Sequence, residues 1–214
     1  MADAPVVAWA PIADSEFGDR RARRRNRKIN SILAMTALVI AERGYSNTSL
    51  DEIGERLDLA KPSLYHYFES KEALVYETLK TCASYVSGCL QQIANRDASA
   101  SEKLRALIEC QIRIITVDCP EMSRLFLHPV DWPTSIGSAM FEWRQEHDAI
   151  FRGVIAEGVS SGEFHVQDPA ISRLCLQGAL SFVPDWLREQ DSEESRQMVV
   201  DTLMSLFAVN NAGI

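Results

Sequence analysis

No stretch of this sequence reaches the roughly 18–20 consecutive apolar residues of a membrane-spanning helix, so a bilayer-embedded chain is not expected. Cysteine is sparse: Cys82, Cys89, Cys110, Cys119 and Cys175 make an odd number, and no two have C-x-x-C spacing. The expectation is buried, reduced thiols in a cytoplasmic compartment. The opening MADAPVVAWAPIADSEFGD has no basic residue, and its apolar residues are broken by Pro and Asp, so it does not read as a secretory leader. With only eight prolines and ten glycines in 214 residues, helices are favoured over turn-rich architectures. There is no G-x-G-x-x-G, no P-loop and no H-E-x-x-H, which removes the commonest nucleotide and zinc-hydrolase sites. His66, His128, His147 and His165 are scattered, and Glu142, Glu146 and His147 read as a solvated helix face. No catalytic residue, metal or cofactor is expected, and the chain reads as a non-enzyme.

What is present begins with charge. The formal net charge is −8, which excludes coating of nucleic acid by bulk charge. Its distribution is uneven. Residues 1–19 hold four acidic residues and no Lys or Arg, residues 20–71 hold 11 basic and 6 acidic, and residues 72–214 hold 11 basic and 20 acidic. One basic segment therefore sits in an acidic chain.

The 46% hydrophobic content supports a sizeable core, and its periodicity is helical. Seven basic residues from Arg20 to Lys28 lead into Ile29, Ile32, Leu33, Thr36, Ala37 and Ile40 at helical spacing, up to a stop at Gly44. Ser49 and Glu52 predict a capping box for a short helix carrying Leu50, Ile53 and Leu57. After a tight link at Asp58-Leu59, Lys61-Pro62 opens a third helix with Leu64 and Phe68 inward. Ser70 caps a long helix to about Asn95. Further helices are expected over about 101–117, ended by Pro120, and over 122–127, 135–160, 169–187 and 193–209. The predicted fold is all-α, about nine helices. A tail (1–19) and a three-helix DNA-binding domain (20–70) precede a larger helical body for ligand binding and dimerisation (71–214).

Two short helices joined by a tight turn, each with one apolar face, form a helix-turn-helix, whose second helix enters the DNA major groove. That accounts for Lys61, Ser63, Tyr65, His66 and Tyr67 facing outward: they offer donors and flat rings to phosphates, base edges and thymine methyls. Arg20–Lys28, including Arg24, Arg25 and Arg27, is placed to reach the flanking backbone or the minor groove. Lys71 would neutralise one more phosphate. The plain alternatives are an ordinary amphipathic surface for Tyr65-His66-Tyr67 and a solvated tail for the arginines.

Gly44-Tyr45, Thr48-Ser49, Asp51-Glu52-Ile53, Leu59, Pro62-Ser63-Leu64-Tyr65-His66-Tyr67-Phe68 and Ser70-Lys71-Glu72-Ala73-Leu74 together resemble the N-terminal domain of TetR-type transcriptional regulators, over residues 27–75. The resemblance implies that Lys61, Pro62, Ser63, Tyr65 and His66 face bases and nearby phosphates, and that Tyr67, Ser49, Tyr45 and Lys71 hold phosphates. Three positions depart from the family pattern. Asp58 replaces a turn glycine and is expected to be left-handed. Ala60 replaces a capping serine. Gly54 replaces an alanine, at a helix-propensity cost of up to about 1 kcal/mol.

The resemblance also implies a body that dimerises through its last two helices and encloses a small molecule. Leu174, Gly178, Ser181, Phe182, Val199, Leu203 and Leu206 are the expected dimer contacts. Cys110, Arg113, Met122, Phe126, His128, Trp132, Met140, Phe141, Trp143, Phe151 and Trp186 are candidate ligand-lining residues, with plain core as the alternative. FRGVIAEGVSSGEF, residues 151–164, with the Trp186 helix end, resembles regulators of fatty-acid or steroid breakdown that sense acyl-CoA esters. The expectation is a homodimeric repressor released from a palindromic or near-palindromic duplex by a small-molecule effector, an acyl-CoA or related lipid or steroid metabolite. An activator, or a ligand-binding protein or enzyme with an incidental helix-turn-helix, remains open.

Overall fold

A computed structural model describes residues 20–127, 131–187 and 192–208, apart from the side chains of Lys61, Glu121, Arg124, Leu127 and Trp186. All regular structure among them is helical. The order is α1 (Arg20–Asn47), α2 (Leu50–Arg56), α3 (Lys61–Tyr65), α4 (Lys71–Ala94), α5 (Ala100–Arg113), α6 (Pro120–Leu127), α7 (Thr134–Ser161), α8 (Pro169–Trp186) and α9 (Glu193–Ser205). A π-helical turn, Ile114–Asp118, follows α5. Pro120, expected to end a helix, instead opens α6, where a missing N–H is harmless. The chain gathers into two compact units: residues up to Tyr85 with Asp118–Phe141, and Val86–Val117 with the residues from Glu142 onward.

In the first unit, α1 buries Ile32, Leu33, Thr36, Ala37, Val39 and Ile40, the residues of one helical face. Gly44 breaks the helix as expected, with φ 74° and ψ 168°, a conformation that glycine adopts without a Cβ penalty. Thr48 Oγ1 donates to Gly44 O (2.8 Å) and secures the turn. Ser49 caps α2, its Oγ accepting from Glu52 N at 3.2 Å. The reciprocal half of the predicted capping box does not form: the Glu52 carboxylate takes Arg56 (2.9 Å) and Arg43 (3.0 Å) instead. Asp58 is left-handed (φ 52°) and Ala60 gives α3 no side-chain cap, both as expected.

Gly54 does more than weaken a helix. A Cβ there would stand 2.9 Å from Leu59 O and 3.2 Å from Leu64 Cδ1, while Gly54 O accepts from Leu59 N at 2.8 Å. The glycine lets the turn fold back closely onto α2. Helix α3 is only five residues long, so the aromatic run is divided: Tyr65 is its last residue, His66 its C-cap, and Tyr67 and Phe68 lie in the following turn. Leu64 is fully buried and Phe68 half-buried. The anchor of α3 is thus mainly Leu64. Helix α1 packs on α2 and α6, and α2 on α3.

In the second unit, α5 opens on a true capping box, Ser99 with Glu102. The Glu163 carboxylate adds two more acceptors, for Ala100 N (3.2 Å) and Ser101 N (2.9 Å). Helix α5 packs on α8 and α9, with Arg105–Asp201 (2.7 Å) between α5 and α9. The letters Gly158-Val159-Ser160-Ser161-Gly162 fit G-x-S-x-G, a motif that the chain was expected to lack. They end α7, and Ser160 Oγ donates back to Glu157 O at 2.9 Å. A nucleophile elbow is a strand-to-helix turn, so this is a hydrolase motif in letters only.

Gly158 has a packing role. A Cβ there would fall 2.2 Å from Phe164 Cδ2, and the buried Phe164 ring rests on Phe207 with centroids 5.5 Å apart. Gly→Ala inside a helix ordinarily stabilises by up to about 1 kcal/mol. At Gly158 the sign is expected to reverse, with a net loss of about 1–2 kcal/mol from overpacking. Denaturant melts of Gly158→Ala check this, and an unchanged or higher midpoint would refute it.

Candidate nucleic-acid interface

The reading surface is built on Leu64. With that side chain held in the first unit, α3 turns its other faces outward: Pro62 and His66 are exposed, Tyr65 is 47% exposed, and Ser63 and Tyr67 are half-buried. The Lys61 backbone sits at the first turn of α3. The His66 and Tyr67 rings meet edge to face, centroids 5.5 Å apart, which fixes their relative orientation. Ser49 is exposed, and accepting the α2 cap hydrogen bond leaves its hydroxyl proton available to donate.

Tyr45 and Lys71 hold each other. Lys71 Nζ donates to Tyr45 O (3.0 Å) and lies 4.3 Å from the Tyr45 ring centroid. Trp132 meets the same ring at 5.7 Å, and Ser135 donates to Glu72. Burial, with the Glu72 charge second, raises the Tyr45 phenol above its ordinary pKa. In the structure this pair ties the end of α1 to the start of α4.

Arg24, Arg25 and Arg27 lie on α1 itself. With Arg21, Lys28, Ser31, His66 and Tyr67 they line an open groove of about 730 Å³. The Arg25 guanidinium stands 6.0 Å from the Tyr67 ring centroid. Residues 20–28 are the first turns of a helix, and most of them are exposed.

The expected ligand-lining residues divide between the two units. In the first, Met122 and Met140 are buried, and Phe126 and Trp132 are half-buried. Trp132 Nε1 is buried without a hydrogen-bond partner. Phe141 is a correction: it is 61% exposed, because its neighbour Met140 takes the inward position and successive helix residues diverge by about 100°. In the second unit Phe151 is buried, Cys110 and Trp143 are half-buried, and Arg113 is exposed on α5. His128 and the Trp186 side chain lie outside the described residues.

His147, assigned to a solvated face, is a second correction. Its Nε2 is 2.9 Å from Gln111 Oε1, and its ring is 5.3 Å from that of Phe151. Helical spacing from Phe151 (i, i+4) was the available signal.

The expected dimer residues also separate. Leu174 and Phe182 are 55% and 63% exposed, with the exposed Gly178 between them at i+4 steps on α8 and Ser181 half-buried beside them. Leu206, the C-cap of α9, is exposed, as is Met198 within the helix. Val199 and Leu203 are instead buried within the chain itself, on a helix that packs on α5. Ile171 on α8 and Met198 on α9, missed in the sequence, are exposed apolar residues as well.

Among the described residues no group of His, Cys, Asp and Glu could hold a metal ion. No helix there is long and apolar enough to cross a membrane.

Residues 32–78 match the family of bacterial regulatory proteins of the tetR type. Residues 97–208 match the Tetracyclin repressor-like C-terminal domain. Two curated relatives are HTH-type transcriptional repressors KstR2. That of Mycolicibacterium smegmatis is 33% identical over 106 residues, 50% of this chain and 48% of that protein. That of Rhodococcus jostii is 25% identical over 203 residues, 92% of both. The crystal structure of AibR in complex with isovaleryl coenzyme A and operator DNA shares the fold, with a TM-score of 0.73 at 20% identity, covering 84% of this chain and 98% of that one. With more than half of its length matched by the C-terminal model and its reading head by the N-terminal one, the chain belongs to the TetR family of DNA-binding transcriptional regulators.

Proposed function

We propose that this regulator is a homodimeric repressor that leaves its operator when a small-molecule effector binds the helical body. The observation that carries the DNA-reading role is α3: a helix anchored by one fully buried leucine, with Tyr65 and His66 exposed beside a cationic groove. The exposed apolar residues of α8 and α9 support a two-fold pairing, which would set two reading heads on two half-sites about 34–36 Å apart. Both KstR2 relatives are repressors, and AibR was crystallised with an acyl-CoA and operator DNA. They favour an acyl-CoA, or a related lipid or steroid metabolite, as the effector. Its binding would displace α4, a continuous helix that begins where the reading head ends. The protein would act in the cytoplasm, without catalysis.

Footprinting on DNA upstream of its own gene tests the regulator. The expected result is one protected, near-palindromic site. The repressor role requires lower transcription when that site is occupied, and a rise instead would make the protein an activator. Titrating acyl-CoA esters of graded chain length into the complex tests the effector class: at least one should release the duplex, and no release by any would discard that class. At the reading helix, Tyr65→Ala should weaken operator binding about tenfold with no change in melting temperature. Equal loss of folding would return Tyr65 to a packing role.

A further inference from the structure

Trp132, expected to line a ligand site, has its ring against Tyr45. We infer that Trp132 is a positioning residue for DNA binding: it holds the Tyr45 ring, and through it Lys71, where that pair grips the phosphate backbone. The inference rests on the regulator reading and adds to the phosphate grip a residue from outside the three N-terminal helices.

The contacts form one connected set. The rings of Trp132 and Tyr45 stand 5.7 Å apart at 63°, an edge-to-face pairing that restrains both orientations. Lys71 Nζ lies 4.3 Å from the centroid of the same Tyr45 ring, within cation–π range, and donates to Tyr45 O at 3.0 Å. Shortly after Trp132, Ser135 donates to the carboxylate of Glu72, the chain neighbour of Lys71. The segment that enters α7 therefore touches both sides of the joint between α1 and α4. It is itself fixed by the fully buried Ile136 in the first turn of α7. All of these residues belong to the first compact unit.

Holding Lys71 in place matters because its charge is still usable. An ammonium has three N–H donors, and Tyr45 O takes one of them. A lysine that is already ordered loses less freedom on meeting DNA than a mobile one. Without the Trp132 ring, Tyr45 is released to other rotamers, and the ring face under Lys71 is no longer held.

Trp132 Nε1 is buried without a hydrogen-bond partner. The indole N–H therefore does not fix the side chain, and the ring makes the contact. Phenylalanine can keep an aromatic ring against Tyr45 and breaks no hydrogen bond, which makes it the conservative control.

Binding of the full-length protein to its upstream duplex and to a random duplex is measured from low to physiological salt. Trp132→Ala should weaken both by about tenfold at physiological salt, the scale of ordering two lysine side chains in a homodimer. The slope of log K against log salt should shrink by about 2, at about 0.9 for each Lys71 that leaves its phosphate. Trp132→Phe should restore most of the affinity and of the slope. Lys71→Ala should lose the same slope, and adding Trp132→Ala to it should cost little more, because the two residues act as one unit. Trp132→Leu keeps apolar volume without a ring, and is read in the same way if the alanine variant fails to fold.

Additive losses in the double variant would overturn the inference, since Trp132 would then act apart from Lys71. So would an unchanged slope in Trp132→Ala, or a Trp132→Phe as weak as the alanine variant. If the wild type prefers no sequence, the regulator reading fails, and the slopes on random DNA still decide the role of Trp132.

Discussion

Phe182→Glu combined with Leu174→Glu is expected to leave a folded protomer that no longer pairs and binds its operator more than 100-fold less tightly. Both side chains are more than half exposed in the protomer, so removing them costs the subunit's own core little. In a two-fold dimer residue i meets residue j and j meets i, so with glutamate at both positions along the same apolar line like charges would be buried against each other. The loss on DNA follows from valency. A dimer delivers its second reading head at a high effective concentration, and a monomer must bind each half-site alone. Sedimentation gives the mass and titration of the operator duplex the affinity. A variant that remains dimeric would move the interface elsewhere. A monomer that kept wild-type operator affinity would remove dimerisation from the mechanism.

The second large effect is on acid stability. Burial lowers the His147 pKa from 6.5 to about 4, partly opposed by the Asp148 carboxylate. Neutral, its Nε2–H can donate to Gln111 Oε1, and no proton is needed on the other ring nitrogen. Above pH 6.5 the imidazole is neutral both folded and unfolded, and His147 adds no pH dependence. As pH falls from 6.5 to about 4 the unfolded chain takes up a proton that the folded one refuses, so the native state loses stability throughout that window. The full loss is at most about 3 kcal/mol. His147→Gln keeps a hydrogen-bonding side chain opposite Gln111 and removes the titration. Its unfolding free energy should fall much less than the wild type's between pH 6.5 and 4. Parallel curves would show that His147 ionises freely in the fold.

Helix existence and most helix ends were legible because the signals are local. Ser49 and Ser70 cap their helices, and Gly44 and Gly162 take positive φ where helices stop. The reading surface was legible for the same reason: few core residues on α3 leave the rest facing outward. What escaped depended on the choice of apolar face. Along α9 the apolar residues Met198, Val199, Leu203 and Leu206 are close in sequence, and periodicity did not say that Val199 and Leu203 would be the buried ones. The short span of α3 and the π turn after α5 also leave no periodic mark. Close approaches such as Gly158 against Phe164, or the Leu59 carbonyl over Gly54, arise only once distant segments are packed.

The packing of α1 on α6 bears on how this regulator can be taken apart. The unit that contains the reading head is discontinuous in sequence, and the segment Asp118–Phe141 belongs to it. A fragment cut after the reading helices would lack α6, and the apolar face of α1 would be left in water. Grafting this DNA specificity onto another sensor therefore calls for transplanting α6 and the start of α7 together with the N-terminal helices. Chimeras spliced within α4 alone would inherit an incomplete module.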